Sequence, residues 1–133
     1  MRYLLDTHVL VWWQRDDRRL SKEHRSVLAR VARRREQVAV SAVSLWEIAK
    51  LIASGRLSAS ETVDDLLAEL ESSAALVILP LTARIVADST RLGASFPSDP
   101  IDQLIAATAR CNGLTLLTSD ERILAARSVD AIG

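Results

Sequence analysis

A single cysteine, Cys111, leaves no partner for an intrachain disulfide and too few thiolates for a zinc cage. That economy suits a reducing compartment, so a cytoplasmic location is expected. Aromatic residues make up only 4% of the chain, so its core has to come from Leu, Val, Ile and Ala. No apolar run reaches the roughly 18 residues that a membrane span needs. The N-terminal apolar stretch is broken at Asp6, so no signal peptide is expected. Net charge is missing as well, with 17 basic residues against 17 acidic ones. The distribution is uneven, however: residues 1–36 hold ten Lys/Arg and five acids. Arg15, Arg18, Arg19, Lys22, Arg25, Arg30 and Arg33 to Arg35 carry that excess, which reads either as a track for a nucleic-acid backbone or as a solvated helix face.

What is present is a hydrophobic content of 49% in 133 residues, enough for one domain with a real core. Short apolar runs at 2–6, 38–41, 76–79 and 114–118 read as strands. Periodic segments between them predict helices at 8–14, 22–35, 44–54, 60–73, 82–93, 100–111 and 120–126. Residues 128–132 are a candidate edge strand. Strands alternating with helices argue for an α/β fold whose parallel sheet is covered on both faces.

Four acids then stand out: Asp6, Glu47, Asp102 and Asp120. Each lies at or just inside the expected start of a helix, and Asp6, Glu47 and Asp120 closely follow a strand. In a parallel sheet all strand-to-helix turns share one edge, so acids far apart in sequence meet there. Carboxylates so gathered repel one another unless a cation lies between them. Oxygen ligands of this kind suit Mg²⁺ or Mn²⁺, and such centres hydrolyse phosphodiesters. The carboxyl groups of Asp6, Glu47 and Asp102 are therefore expected to face one cavity.

Each acid also has a local explanation. Asp6 reads as the cap of the helix that starts near Thr7. Ser44 and Glu47 have capping-box spacing, and Lys50 is placed to pair with Glu47. Asp99 caps the helix opened by Pro100, with Asp102 in its first turn. Thr118 and Glu121 form another capping pair around Asp120. Local capping, however, requires no acid near the carboxyl ends of three strands and another at a fourth helix start.

In these segments the chain resembles PIN domains, and more narrowly the VapC-type toxins of bacterial toxin–antitoxin pairs. The likeness is carried by "YLLDTHVLVWW" with Asp6, "VSAVSLWEIAKL" with Glu47, "FPSDPIDQLIAATA" with Asp102 and "GLTLLTSDERI" with Asp120. It implies a three-layer sandwich with a four- or five-stranded parallel sheet flanked by helices. It also implies a divalent-metal endoribonuclease, usually homodimeric, silenced by a cognate VapB-type antitoxin. The fourth acid varies most across the family, and Asp99 recurs beside the third.

With Mg²⁺ or Mn²⁺ as cofactor, Asp6 and Asp102 are expected to hold the ion, Glu47 to complete the ligand set or orient water, and Asp120 to act directly or through water. His8, near the same edge, reads as a packing or capping residue, and Thr7, Ser41 and Thr118 as hydrogen-bond partners of the carboxylates. Of Trp12 and Trp13, one is expected in the core and the other on a partner or dimer surface. Stacking on RNA bases is the alternative for the tryptophans. The helix at 44–54 carries more apolar surface than one buried face requires, which fits an antitoxin or dimer contact. Competing functions are hydrolysis of DNA or another phosphate ester, and a catalytically silent protein-binding module. A receiver-like signalling domain needs a Lys at a later strand end, where this chain has Pro80 and Thr118–Ser119.

Overall fold

A computed structural model describes the whole chain, Met1–Gly133. Five strands form one all-parallel sheet: β1 (Tyr3–Leu5), β2 (Val38–Ser41), β3 (Leu76–Leu79), β4 (Thr115–Leu117) and β5 (Ala131–Ile132). Seven helices connect them: α1 (Thr7–Gln14), α2 (Lys22–Arg33), α3 (Ala42–Ala53), α4 (Val63–Ser72), α5 (Ala83–Ser89), α6 (Pro100–Cys111) and α7 (Glu121–Ala126). The strand order is β3-β2-β1-β4-β5, so the chain builds outward from β1 on one side and then crosses to the other. That reversal opens a crevice beyond the carboxyl ends of β1 and β4, where α/β sheets bind ligands.

Strand alternation divides the core in two. Leu5, Val38, Val40 and Leu117 face a cluster with Val9, Leu10, Leu28, Ile48 and Leu70. Their neighbours Leu4, Ala39 and Leu116 face Ile105, Ala106, Ala109 and Ile123 on the opposite side. A sheet buried on both faces explains why its strands read as unbroken apolar runs. Helix α3 feeds both clusters, Val43 entering one and Ile48 the other. Trp12 and Trp13 are both half-buried against the first cluster, so they do not divide between core and partner surface. Trp46 is the exposed tryptophan, at 53%.

Element boundaries depart from the sequence reading at three places. Helix α4 starts at Val63 because Thr62, among several Ser/Thr choices, caps it by accepting the Asp65 amide at 3.1 Å. Helix α5 ends at Ser89, four residues before Gly93, because Leu92 and Phe96 turn inward to enter the second cluster. Helix α3 begins at Ala42 with Ser41 as its cap, so Ser44 and Glu47 are not a capping box. The candidate tail strand is real but only two residues long.

The basic run of the N-terminal third is partly consumed locally. Arg19 pairs with Asp17 at 2.8 Å and Arg25 with Asp16 at 2.7 Å, while the Arg19 guanidinium also lies 5.3 Å from the Trp12 ring centre. No helix is long and apolar enough to cross a membrane.

Candidate active site at the carboxyl edge of the sheet

Asp6 is the anchor. The ladder between β1 and β4 continues into it, its amide donating to the Leu117 carbonyl at 3.0 Å. It caps α1 in extended backbone (φ −63°, ψ 155°), Oδ1 accepting the Thr7 amide at 2.9 Å. Oδ2 accepts the Thr118 hydroxyl at 2.7 Å, across 112 residues of sequence. The residue is only 8% exposed. Burial raises its carboxyl pKa, against the lowering effect of the Thr118 and Thr7 hydrogen bonds and the nearby His8.

Asp102 occupies the first turn of α6, whose cap is Asp99: Asp99 Oδ1 accepts the Ile101 amide at 2.8 Å and the Asp102 amide at 3.2 Å. The Asp102 carboxyl is pushed up to about 7, first by desolvation and then by the charges of Asp6, Asp99, Asp120 and Glu47. Such fields weaken with distance, so Asp6, Asp99, Asp120 and Glu47 all lie near enough for their charge to act on Asp102.

Asp120 caps α7 and is held by Arg122, which donates its amide and Nε to Oδ1 and Nη2 to Oδ2, the last at 3.0 Å. That clamp lowers the Asp120 pKa and makes this acid the least free of the set. Arg122→Ala is expected to move the Asp120 carboxyl back up toward its ordinary value of 3.8, as read by NMR titration. Glu47 is half-buried on α3 and takes part in none of the four ion pairs. Lys50, expected to pair with Glu47, instead lies 5.5 Å from the Trp46 ring centre.

Hydroxyl groups tie these elements together. Thr7 donates to Ser44 Oγ at 2.9 Å, fixing the first turn of α1 to the helix that carries Glu47. Thr118 donates to Asp6 and accepts the Asp120 amide at 3.1 Å, so one side chain orients the Asp6 carboxylate and fixes the Asp120 backbone. Ser41 is consumed in capping α3. His8 is exposed, 5.9 Å from the Trp12 ring, and does not cap. The roles of Ser44 and Arg122 were not anticipated; Ser44 was hidden behind its apparent capping spacing, and Arg122 by lying in an ordinary surface turn.

None of the five main clefts is lined by Asp6, Glu47 or Asp102. No three His, Cys, Asp or Glu side chains gather tightly enough to hold an ion. Mutual repulsion acts to spread such groups. The donor set nevertheless fits a hard divalent cation. It consists of carboxylate oxygens, and the pKa of Asp6 and Asp102 is raised in a way that a neighbouring cation would reverse.

Residues 3–129 match the PIN domain family. The chain belongs to that family. Among its PIN relatives is Ribonuclease VapC22 of Mycobacterium tuberculosis, 34% identical over 120 residues, which are 90% of this chain and 88% of that protein. The PIN fold is shared with FitAcB of Neisseria gonorrhoeae (TM-score 0.71, 23% identity, 98% of this chain and 96% of that one). It is shared equally with VapBC2 of Rickettsia felis, solved with a DNA fragment from its promoter (TM-score 0.71, 19% identity, 99% and 98%).

Proposed function

We propose that this PIN-domain protein is a divalent-metal-dependent endoribonuclease, the toxin of a type II toxin–antitoxin pair, with Mg²⁺ as its ion and Mn²⁺ as an effective substitute. The observation that carries this reading is the buried Asp6 carboxylate, held by the Thr7 amide and the Thr118 hydroxyl just beyond β1 where the strand order reverses, and near enough to Asp102 to raise its pKa. Kinship with a protein named as a ribonuclease supports RNA as the substrate. Structural likeness to toxin–antitoxin complexes supports a VapB-type antitoxin as partner. Exposed Trp46 on α3, and an apolar cleft lined by Leu10, Val11, Ile48, Leu57 and Leu66, offer surface for an antitoxin or a second copy in a homodimer. We place the protein in the cytoplasm, where its lone thiol stays reduced.

When bound, the divalent ion would neutralise the phosphodiester and lower the pKa of water so that hydrolysis proceeds near neutral pH. Asp6 and Asp102 would hold it. Asp6 is pre-oriented by two hydrogen bonds, and Asp102 by its place inside a capped helix. Glu47, free of any ion pair, would complete the ligand set or orient the attacking water. Asp120, already clamped by Arg122, would act directly or through water. The unpaired cations of the N-terminal third, among them Arg18 and Lys22, would attract the RNA backbone.

The test compares wild type with Asp6→Asn on a panel of cellular RNAs and on DNA, with and without Mg²⁺ or Mn²⁺. Metal-dependent cuts in RNA that vanish in the variant are expected. Equal cutting by both proteins would remove Asp6 from catalysis, and preferential cutting of DNA would favour the alternative substrate.

A further inference from the structure

His24 lies in the first turn of α2, fully buried, and no feature of the acidic edge calls for it. Its Nε2 is 2.7 Å from the carbonyl oxygen of Ile132, 108 residues away. A carbonyl only accepts, so Nε2 carries the proton of this bond. Nδ1 has no partner, which makes the Nε2 contact the ring's sole polar anchor. A buried polar ring anchored at one atom is a costly choice for a position that an apolar side chain would fill. The geometry indicates what that anchor secures.

The same Ile132 oxygen accepts the backbone amide of Thr118 at 3.1 Å. Strand β5 is two residues long and too short to hold itself in register. It is fastened to the N-terminal end of α2 by His24, and by Ser21 Oγ, which donates to the Gly133 oxygen at 3.3 Å. One step further along, the Thr118 hydroxyl donates to Asp6 Oδ2 at 2.7 Å and accepts the Asp120 amide at 3.1 Å. A continuous path of hydrogen bonds thus runs from His24 through Ile132 and Thr118 to two acids of the site.

We propose that His24 is a positioning residue: by fixing the Ile132 carbonyl it holds Thr118 where the threonine hydroxyl orients the Asp6 carboxylate toward a divalent cation and fixes the Asp120 backbone beside it. This rests on the reading of the acidic edge as a metal site. Groups that orient metal ligands typically change metal affinity about 10- to 100-fold when removed. His24 acts two residues beyond that, through Ile132 and Thr118, so a smaller effect of about three- to tenfold is expected.

The experiment uses the full chain as wild type, His24→Leu, His24→Gln and Leu70→Ala. Leu70 sits in the core on α4 and shares no hydrogen bond with any member of the path, so its truncation is expected to destabilise the fold while leaving the path's bonds in place. Two quantities are read: the Mn²⁺ dissociation constant, from the paramagnetic resonance signal of free ion, and the exchange rate of the Thr118 amide. His24→Leu is expected to weaken Mn²⁺ binding about three- to tenfold and to speed Thr118 exchange. His24→Gln, whose amide nitrogen keeps a donor near the Nε2 position, should restore both. Leu70→Ala should leave the Mn²⁺ constant at the wild-type value. Wild-type affinity in His24→Leu would overturn the proposal, as would equal weakening in Leu70→Ala. Absence of Mn²⁺ binding by wild type would overturn the metal reading and the proposal with it, an outcome distinct from unchanged binding in the variant alone. If His24→Leu does not fold, His24→Asn replaces it under the same criteria, because its shorter amide stays polar but falls short of Ile132.

Discussion

Asp102→Asn is expected to make the ion-free protein more stable at pH 8 while abolishing RNA cleavage. The carboxyl titrates near 7 in the folded chain against an ordinary value of 3.8. An acid whose pKa is higher folded than unfolded binds its proton more tightly in the folded state. Its destabilising effect is therefore absent below the unfolded value, grows as pH rises through the window from 3.8 to about 7, and is full above it. A shift of about three units corresponds to about 4 kcal/mol at most. Asp102 is only half buried, and screening by solvent reduces this to about 1–2 kcal/mol. Thermal unfolding should show a gain of several degrees at pH 8 that disappears near pH 4. Cleavage should fall by at least about 10²-fold, since groups that merely orient metal ligands already cost up to that much. A residue that stabilises when removed and disables when removed is the signature of a site held under electrostatic strain for function.

Thr118→Val should act in the opposite sense on stability. Valine keeps the shape but removes a hydroxyl that is buried and bonded twice. The Asp120 amide loses its acceptor, and Asp6 loses a donor that favours its ionised form. Leaving such groups unpaired costs about 1–3 kcal/mol, so the midpoint of urea unfolding should fall. Asp6 should titrate still higher, and divalent-ion affinity should drop about 10- to 100-fold. The two variants together separate strain from scaffolding: one relieves like-charge crowding, the other removes the part that aims the carboxylates.

The fold was legible because its signals are local. Apolar runs such as LVIL and VAVS, with acids and caps just beyond them, mark strand ends within a few residues. The acids stood out in the sequence as a set, and Asp6, Asp99 and Asp120 each do cap a helix, so the capping reading holds beside the site role proposed for Asp6 and Asp120. Ser44 shows the limit of spacing arguments. Its position relative to Glu47 fits a capping box, yet the chain starts α3 earlier at Ser41, leaving Ser44 to face Thr7. The long-range bonds at this edge, Thr118 to Asp6 and His24 to Ile132, join residues more than a hundred apart. No periodicity encodes such pairs; they exist only once β1, β4 and β5 lie side by side. The two-residue tail strand was a bare possibility for the same reason, since Ala131 and Ile132 acquire strand geometry from Leu116 and Leu117 beside them.

The most direct measurement is the titration of the Asp102 carboxyl carbon by NMR, with and without saturating Mg²⁺. Without the ion its midpoint should lie near pH 7, raised by desolvation first and then by the charges of Asp6, Asp99, Asp120 and Glu47. With the ion it should fall below the ordinary value of 3.8, because the cation favours the charged form. A midpoint that stays in place when Mg²⁺ is added would contradict a metal site at this edge, and a midpoint near 3.8 in the ion-free protein would contradict both the burial of Asp102 and the nearby acids that act on it.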